Sequence, residues 1–325
     1  MRNLITHFPN QLRESIQIAE KVELKFDRTI TNVVICGVGG SGIGGELVRE
    51  WMRPLANLSI EVCHRYKLPE YVNHNTLVIA CSYSGNTEET LTAVQEAIDK
   101  KALLIGITSG GDLKNILTNI EAQYITIPGG LPPRSALAYS LVQLIEIIEQ
   151  AGVTLERISP KLIRAIQLIE QTQPSIISLA QSLVEQSGDK KLMLYAEDQF
   201  HPVLLRTCQQ LNENSKELAF YNVVPEMNHN EIVGWAKDPK DMSVVFVRSN
   251  LENSRNTSRL DISFEIISDK TEVVRVEARG EHLVDQSLYL IHLFDWVSLL
   301  KAERKEIDVT EVKVIDYLKS QLASM

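Results

Sequence analysis

Two turns rich in glycine and hydroxyl side chains hold the residues of this chain best suited to chemistry. Residues 37–45 and residues 82–87 each follow a short apolar run rich in β-branched side chains, and each precedes a helical pattern. Backbone N–H groups, hydroxyls and a helix N-terminus then converge, which is how a protein can hold a phosphate without a metal. We therefore expect both turns to form one phosphate pocket. The residues expected to hold the phosphate are Gly40, Ser41, Ser82, Ser84 and Thr87.

The first turn also permits a different interpretation. Residues 37–42 match the pattern GxGxxG between a strand and a helix, which is typical of dinucleotide-binding domains. That interpretation needs an acidic residue at the end of the next strand, whereas the run 58–63 is followed by His64 and Arg65. Because Arg65 could accept a 2′-phosphate, an NADP-dependent dehydrogenase remains an alternative. It leaves the three hydroxyls of the second turn unexplained.

The length, composition and net charge of the chain limit which classes of protein it can belong to. The 325 residues are enough for two domains, and contents of 44% hydrophobic and 23% charged residues are ordinary for a soluble globular protein. A net charge of −9 argues against nucleic acid or an anionic membrane as the main partner. No signal peptide or membrane span is expected, and four cysteines without CxxC spacing indicate a reducing cytoplasm. No metal-binding pattern is present, so neither a metal nor another cofactor is expected.

Strands alternate with helices along the whole chain, which predicts an α/β fold of two doubly wound domains, each with a mostly parallel sheet flanked by helices. The expected domains are residues 1–153 and residues 154–325. Strands are predicted at residues 31–36, 58–63, 76–81, 102–107, 123–127, 191–196, 220–224, 243–248 and 272–278. The main predicted helices are residues 10–29, 135–151, 159–187, 201–218, 283–303 and 309–322.

The two turns resemble those of sugar isomerase (SIS) domains, which bind phosphosugars. Two such domains in about 325 residues resemble the bifunctional phosphoglucose/phosphomannose isomerases. Residues 132–137, 211–216 and 225–231 support the resemblance, which covers nearly the whole chain. It implies an aldose–ketose isomerase that interconverts glucose 6-phosphate, and also mannose 6-phosphate, with fructose 6-phosphate through an enediol. Such a reaction needs a base, an oxyanion partner and an acid/base for ring opening, but no redox cofactor.

Glu213 is the candidate base. It lies about 180° from Leu204 on the predicted helix, so core packing does not require it. Asn212 and Asn214, which are poor helix formers, flank it. Spacing alone leaves a solvated glutamate open; the resemblance assigns proton transfer to Glu213.

His229 lies in a polar loop between two asparagines, and an imidazole there can give and take the proton that ring opening needs, although an ordinary exposed loop is also possible. By resemblance, this histidine enters the site of the neighbouring subunit, which implies a homodimer.

Three further positions complete the expected site. Arg134 follows two prolines at the start of a predicted helix, and the resemblance implies that it stabilises the enediolate. Lys319 is the preferred lysine for ring opening, with Lys301 and Lys313 as alternatives. Thr310 lies where relatives that act on mannose carry a small residue, although the prolines usual around it are absent here.

A non-catalytic SIS protein that senses phosphosugars is a second alternative to the isomerase. It would keep both turns but would need neither Glu213 nor His229.

Overall fold

The computed structural model describes residues 1–237, 239–322 and 324. The chain divides into two compact units. The first unit comprises Thr6–Gln171 and Gly280–Leu288; the second comprises Met1–Ile5, Thr172–Arg279 and Tyr289–Met325.

The first unit contains a five-stranded sheet in which every neighbouring pair is parallel, in the order β2-β1-β3-β4-β5. The central strands are continuous apolar runs, as expected for a sheet covered on both faces. The strands are β1 (Asn32–Cys36), β2 (Ser59–Cys63), β3 (Thr76–Cys81), β4 (Leu103–Thr108) and β5 (Gln123–Thr126).

Helices connect and cover these strands. Val34 and Val78 pack with Ala93 of the helix that follows β3 in one buried apolar cluster of this sheet. The helices that begin the chain or follow strands β1 to β5 are α1 (Arg2–Thr6), α2 (Phe8–Ala19), α3 (Ile43–Met52), α4 (Glu88–Asp99), α5 (Gly111–Asn119), α6 (Leu137–Gln150) and α7 (Ser159–Ser187).

The second unit contains a four-stranded parallel sheet in the order β7-β6-β8-β9. Its strands are β6 (Lys191–Glu197), β7 (Phe220–Val224), β8 (Met242–Arg248) and β9 (Val273–Glu277). Tyr195, Phe246 and Leu260 belong to its buried apolar cluster. The remaining helices are α8 (His201–Gln210), α9 (Ser254–Ser268), α10 (Leu283–Arg304) and α11 (Lys313–Leu322).

The predicted helix at 10–29 is wrong in its second half. Helix α2 ends at Ala19, and the backbone N–H groups of residues 24 and 25 donate to side-chain amides. Gln150 accepts from Leu24 N at 2.9 Å, and Gln123 accepts from Lys25 N at 2.7 Å. These tertiary hydrogen bonds outweigh the local helical pattern.

Two more predicted helices differ at one end. The helix predicted at 201–218 ends at Ser215, after a π-helical turn over Leu211–Ser215, because Lys216 is left-handed with φ 55°. The helix predicted at 309–322 begins at Lys313, because Asp308 Oδ1 accepts from Thr310 N at 2.8 Å and holds a turn there. Among residues 1–237, 239–322 and 324, none of the helices combines the length and apolarity that a membrane-spanning segment requires.

Candidate active site

The two glycine- and hydroxyl-rich turns of the first unit lie where the strand order of its sheet reverses. Strands β1 and β3 are neighbours, and the chain leaves β1 toward β2 on one side before it returns to β3 on the other. Connections therefore diverge at the carboxyl ends of β1 and β3, which leaves a crevice typical of ligand sites in α/β sheets. The first turn follows β1 and the second follows β3, so the fold brings both predicted turns to this crevice.

Hydrogen bonds join the two turns to each other and to a third segment. Ser41 Oγ accepts from Tyr83 N at 3.0 Å, which ties the first turn to the second. The hydroxyl of Tyr83 accepts from Leu131 N at 3.0 Å, which ties the second turn to the proline-rich segment after β5. Three segments distant in sequence are thus held together around Tyr83.

Arg134 belongs to this assembly through its backbone. A Cβ on Gly40 would approach Pro133 O to 3.1 Å and Arg134 N to 3.3 Å, so the first turn packs closely on the backbone at 133–134. The Arg134 side chain is buried. The structure therefore brings Arg134 next to Gly40 and Ser41.

Inside the second turn, the three hydroxyls have different environments. Ser82 is fully buried, and its Oγ accepts from Gly85 N at 3.1 Å and lies 2.9 Å from Thr87 Oγ1. Ser84 is exposed, and its Oγ accepts from Asn86 N at 3.2 Å. None of these hydroxyls caps helix α4, whose N-cap is Thr87 without a side-chain cap bond. Ser82 therefore shapes the turn, Ser84 is exposed, and Thr87 is partly exposed with its hydroxyl against that of Ser82.

Glycine is required at the centre of this turn. Gly85 has φ +73°, and a Cβ there would lie 1.8 Å from Gly110 O. No side chain fits, so the backbone of the turn lies directly against the loop after β4.

Glu213 lies in the second unit, within the π-helical turn that ends helix α8. π-Helical turns are rare and are frequent at functional sites. Asn214 donates to Ser298 Oγ at 3.0 Å, and Ser215 Oγ donates to Ser298 O at 2.8 Å. Asn214 and Ser215 are both buried, so their bonds to helix α10 fix the turn. Glu213 itself is partly exposed.

A buried ion pair lies next to the π-helical turn, on the part of helix α8 that precedes it. Arg206 Nη2 donates to both oxygens of Asp295, at 2.9 and 3.2 Å, and Gln210 Nε2 donates to Asp295 Oδ1 at 2.9 Å. Burial raises the pKa of Asp295, and the guanidinium of Arg206 opposes that rise. The hydrogen bonds extend to Asn214, whose Nδ2 lies 3.4 Å from Gln210 Oε1.

His229 is exposed at the end of a short 3-10 helix, Glu226–His229, in a loop whose neighbouring residues are firmly held. Asn228 donates to Ser263 Oγ at 2.7 Å. Glu231 accepts from Tyr195 OH at 2.5 Å and from Asn222 Nδ2 at 2.6 Å. Both oxygens of Glu231 are therefore used to anchor the loop that presents His229.

The three candidate lysines differ in environment. Lys301 is fully buried; its Nζ donates to Gly188 O at 2.9 Å and to Lys190 O at 3.2 Å, and it pairs with Glu217 at 3.3 Å. These three partners use all its donors, so Lys301 stabilises the fold. Lys313 and Lys319 are exposed on helix α11.

The structure brings Glu213 close to the segment that contains Thr310. Lys216 Nζ donates to Glu213 O at 2.6 Å and to Glu311 O at 2.8 Å. A groove of about 470 Å³ lies there, lined by Glu213, Leu218, Val312 and Ile315 among others. The hydroxyl of Thr310 donates to Asp308 Oδ1 at 2.7 Å, which holds this segment in its turn.

Comparisons with known proteins identify the family. The chain is 35% identical to a bifunctional phosphoglucose/phosphomannose isomerase of Caldicellulosiruptor bescii, over 99% of this chain and 98% of that protein. It is 33% identical to a protein of the same name from Thermoplasma acidophilum, over 93% and 95% of the two chains. The chain belongs to the bifunctional phosphoglucose/phosphomannose isomerase family. This confirms the resemblance found in the sequence.

Two further similarities concern one domain of the chain and its fold. Residues 176–322 match the bacterial phospho-glucose isomerase C-terminal SIS domain. In fold, the chain is similar to the C-terminal domain of glucosamine-fructose-6-phosphate aminotransferase from Francisella tularensis, with a TM-score of 0.71 and 16% identity over 94% of this chain and 96% of that one. The predicted α/β fold with two parallel sheets is confirmed.

In this member of the bifunctional phosphoglucose/phosphomannose isomerase family, the second sheet has the same kind of crevice but fills it with its own carboxylates. Strands β6 and β8 end there. Glu197 accepts from Asn253 N at 2.9 Å, and Glu252 accepts from Ser249 N at 2.7 Å and pairs with Arg248 at 3.0 Å. The loop N–H groups of Ser249 and Asn253 are therefore already occupied by glutamates.

Two contributors to the site were missed in the sequence. Tyr83 lies between the two serines of the second turn. An aromatic residue inside so polar a turn was the sequence signal that it makes a structural contact there. The Arg206–Asp295 pair joins positions 89 residues apart, and no local pattern reveals such a contact.

Proposed function

We propose that this chain is an aldose–ketose isomerase that interconverts glucose 6-phosphate and mannose 6-phosphate with fructose 6-phosphate. The observation that carries the proposal is the junction of the two turns through Ser41 and Tyr83 at the carboxyl ends of β1 and β3. Backbone N–H groups and hydroxyls meet there, as phosphate binding without a metal requires. The family to which the chain belongs supports the choice of substrates.

The phosphate is held by Gly40 and Ser41 of the first turn and by Ser84 and Thr87 of the second. Ser82 acts through the turn, because its buried hydroxyl lies 2.9 Å from Thr87 Oγ1 and orients it. Fixing the phosphate positions the sugar carbons and removes most of the orientational cost of the reaction.

Glu213 is the base that removes the C2 proton of the open-chain aldose. The electrons of that C–H bond form the C1–C2 double bond of an enediolate, and the carbonyl oxygen at C1 takes the charge. The proton of the hydroxyl at C2 then moves to the oxygen at C1. As the first proton returns to C1, the electron pair left on the C2 oxygen forms the carbonyl of the ketose. Glucose and mannose 6-phosphate differ only at C2, which is planar in the enediolate, so one base can serve both epimers. Arg134 is proposed to stabilise the developing negative charge.

His229 and Lys319 are proposed to open the sugar ring, His229 from the partner subunit of a homodimer. The anchored loop around Glu231 supports this role, since it fixes the backbone on both sides of an exposed histidine. Thr310 is proposed to affect discrimination between the epimers through the segment that lies near Glu213. No cofactor is proposed, and the four free, buried cysteines suit a cytoplasmic enzyme.

A coupled assay tests the proposal. Glucose 6-phosphate and mannose 6-phosphate are each supplied in the presence of a chelator, and formation of fructose 6-phosphate is measured. Glu213→Gln keeps size but cannot accept a proton, so kcat should fall at least about a hundredfold while substrate binding survives. Glu185→Gln, an exposed glutamate on helix α7, is the matched control and should keep full activity.

The two alternatives predict different results, in the coupled assay and in a titration with NADPH. A phosphosugar-sensing protein would bind the sugar phosphate but show no turnover, both without substitution and as Glu213→Gln or Glu185→Gln. A dehydrogenase would instead quench or enhance nicotinamide fluorescence on titration with NADPH. Near-normal turnover of Glu213→Gln would show that another group is the base.

A further inference from the structure

His64 lies beside the first turn, at the end of strand β2, and its ring bridges the two ends of that turn. Nδ1 lies 2.7 Å from Gly37 O, at the residue that directly follows β1. Nε2 lies 2.9 Å from Glu46 Oε1, in the first helical turn of α3. The residues between Gly37 and Glu46 include Gly40 and Ser41, the part of the turn proposed to hold phosphate.

Both partners of the His64 ring are acceptors. A backbone carbonyl and a carboxylate cannot donate, so a neutral imidazole, with one N–H, satisfies only one of them. The imidazolium, with two N–H groups, satisfies both. The arrangement therefore selects the charged form of His64.

The electrostatics around the ring agree with this geometry. The hydrogen bond to Glu46 raises the pKa of His64 above its ordinary value; burial opposes that rise, and the Gly37 carbonyl adds to it. The charged and titratable groups that face the ring are Glu46 on α3, which is itself paired with Arg49, and Cys63 on β2.

The ring also packs directly on the turn. A Cβ on Gly42 would approach Nδ1 and Cε1 of His64 to 2.9 Å, so the imidazole lies against the backbone just before helix α3. Within the turn, Gly39 is left-handed with φ +55°. His64 therefore contacts both ends of a sharply turning segment, through Gly37 O and Glu46 Oε1.

We propose that His64, as an imidazolium, is a positioning residue that fixes the first turn in its phosphate-binding conformation and thereby makes phosphosugar binding weaken at alkaline pH. This inference rests on the proposed function, because the pocket it controls is the proposed phosphate site. It assigns no chemical step to His64.

The sign of the pH dependence follows from the raised pKa of His64. Below the ordinary pKa of histidine the ring is charged in every state, and the bridge between Gly37 and Glu46 is complete. As pH rises through the raised pKa of the folded protein, one N–H is lost, the bridge opens and phosphate binding weakens.

The test uses inorganic phosphate as a competitive inhibitor, so that ring opening and proton transfer do not enter the measurement. His64→Gln should raise the inhibition constant of phosphate about tenfold at pH 6.5, the effect of losing one charge-assisted hydrogen bond, and leave kcat within about twofold. The ratio of inhibition constants, variant to wild type, should fall towards one as the pH rises above the raised pKa of His64, because the wild-type bridge then opens too. Taking the ratio cancels the ionisation of phosphate itself.

Two further variants make the test specific. Glu46→Gln keeps His64 but removes the carboxylate, so the alkaline weakening should move to lower pH instead of disappearing. It also keeps the proposal testable should His64→Gln fail to fold, as judged by its melting curve. His74→Gln removes an exposed histidine of the same unit and should reproduce the wild-type profile.

Superimposable profiles for wild type, His64→Gln and Glu46→Gln would overturn the role of His64 while leaving the phosphate site intact. Failure of phosphate to compete with the sugar phosphate in the wild type would instead count against the proposed function. The two failures are therefore distinguishable.

Discussion

The ion pair beneath the π-helical turn gives the most quantitative prediction. Asp295→Asn removes the charge that faces Arg206, whose side chain is only 4% exposed, while that of Asp295 is 8% exposed. Breaking one partner of a buried pair leaves an uncompensated charge and costs about 3–5 kcal/mol. We expect the melting temperature to fall by about 6–10 °C, at roughly 2 °C per kcal/mol.

The same substitution should reduce turnover. Asp295 accepts from Gln210, and Gln210 lies next to Asn214, the residue after Glu213. Loosening these contacts lets the turn relax and misplaces the carboxylate, so kcat should fall about tenfold with KM little changed. The assay is the coupled isomerase reaction, run well below the melting temperature of the variant.

Asp261→Asn is the matched control, because it also breaks an Arg–Asp pair, but its carboxylate is 45% exposed. It should cost no more than about 1 kcal/mol and leave kcat unchanged. A fall in melting temperature with unchanged kcat would show that the Arg206–Asp295 pair stabilises the fold without positioning Glu213. An unchanged melting temperature would refute the argument from buried charge.

The remaining predictions concern the phosphate and the assembly. Ser84→Ala removes an outward hydroxyl and should raise KM about fivefold or more, corresponding to at least about 1 kcal/mol, as measured by initial rates. A crystal soaked with a phosphosugar should show its phosphate between residues 40–41 and 84–87; binding at residues 249–254 would contradict the assignment. Mixing inactive Glu213→Gln and His229→Ala should restore up to about half of the activity per hybrid dimer, because one site then carries neither lesion. Subunit exchange is verified by mass spectrometry of labelled chains, and proven exchange without recovery would place both residues in the site of one chain.

Strand positions could be predicted from the sequence because buried parallel strands are continuous apolar runs. Strands β3 and β7 begin and end at the predicted residues, and the long helix α7 does too. The ends of other helices could not be predicted, because distant side chains set them. The side chains of Gln150 and Gln123 accept hydrogen bonds from the backbone N–H groups of residues 24 and 25. Each pair is separated by about a hundred residues in sequence.

In the candidate site too, local features could be predicted from the sequence and long-range contacts could not. The place of Gly40, Ser41 and Ser84 in turns that directly follow strands could be predicted, since a turn after a strand is a local pattern. The different role of Ser82 could not, since only its complete burial shows that its hydroxyl shapes the turn. The bridge made by His64 was missed for a related reason: its two partners lie 27 and 18 residues away.

The two sheets show that the fold alone does not locate the phosphate. Both are parallel, both reverse strand order between two central strands, and in both a helix begins after the loop at that crevice. In the first sheet, the turns that follow β1 and β3 carry hydroxyl side chains and glycines. In the corresponding loop of the second sheet, the N–H groups of Ser249 and Asn253 donate to Glu252 and Glu197. A phosphate dianion entering there would have to displace two carboxylates from their donors and would be repelled by both. Side-chain chemistry at equivalent positions therefore decides which crevice can accept a phosphosugar, and it favours the first.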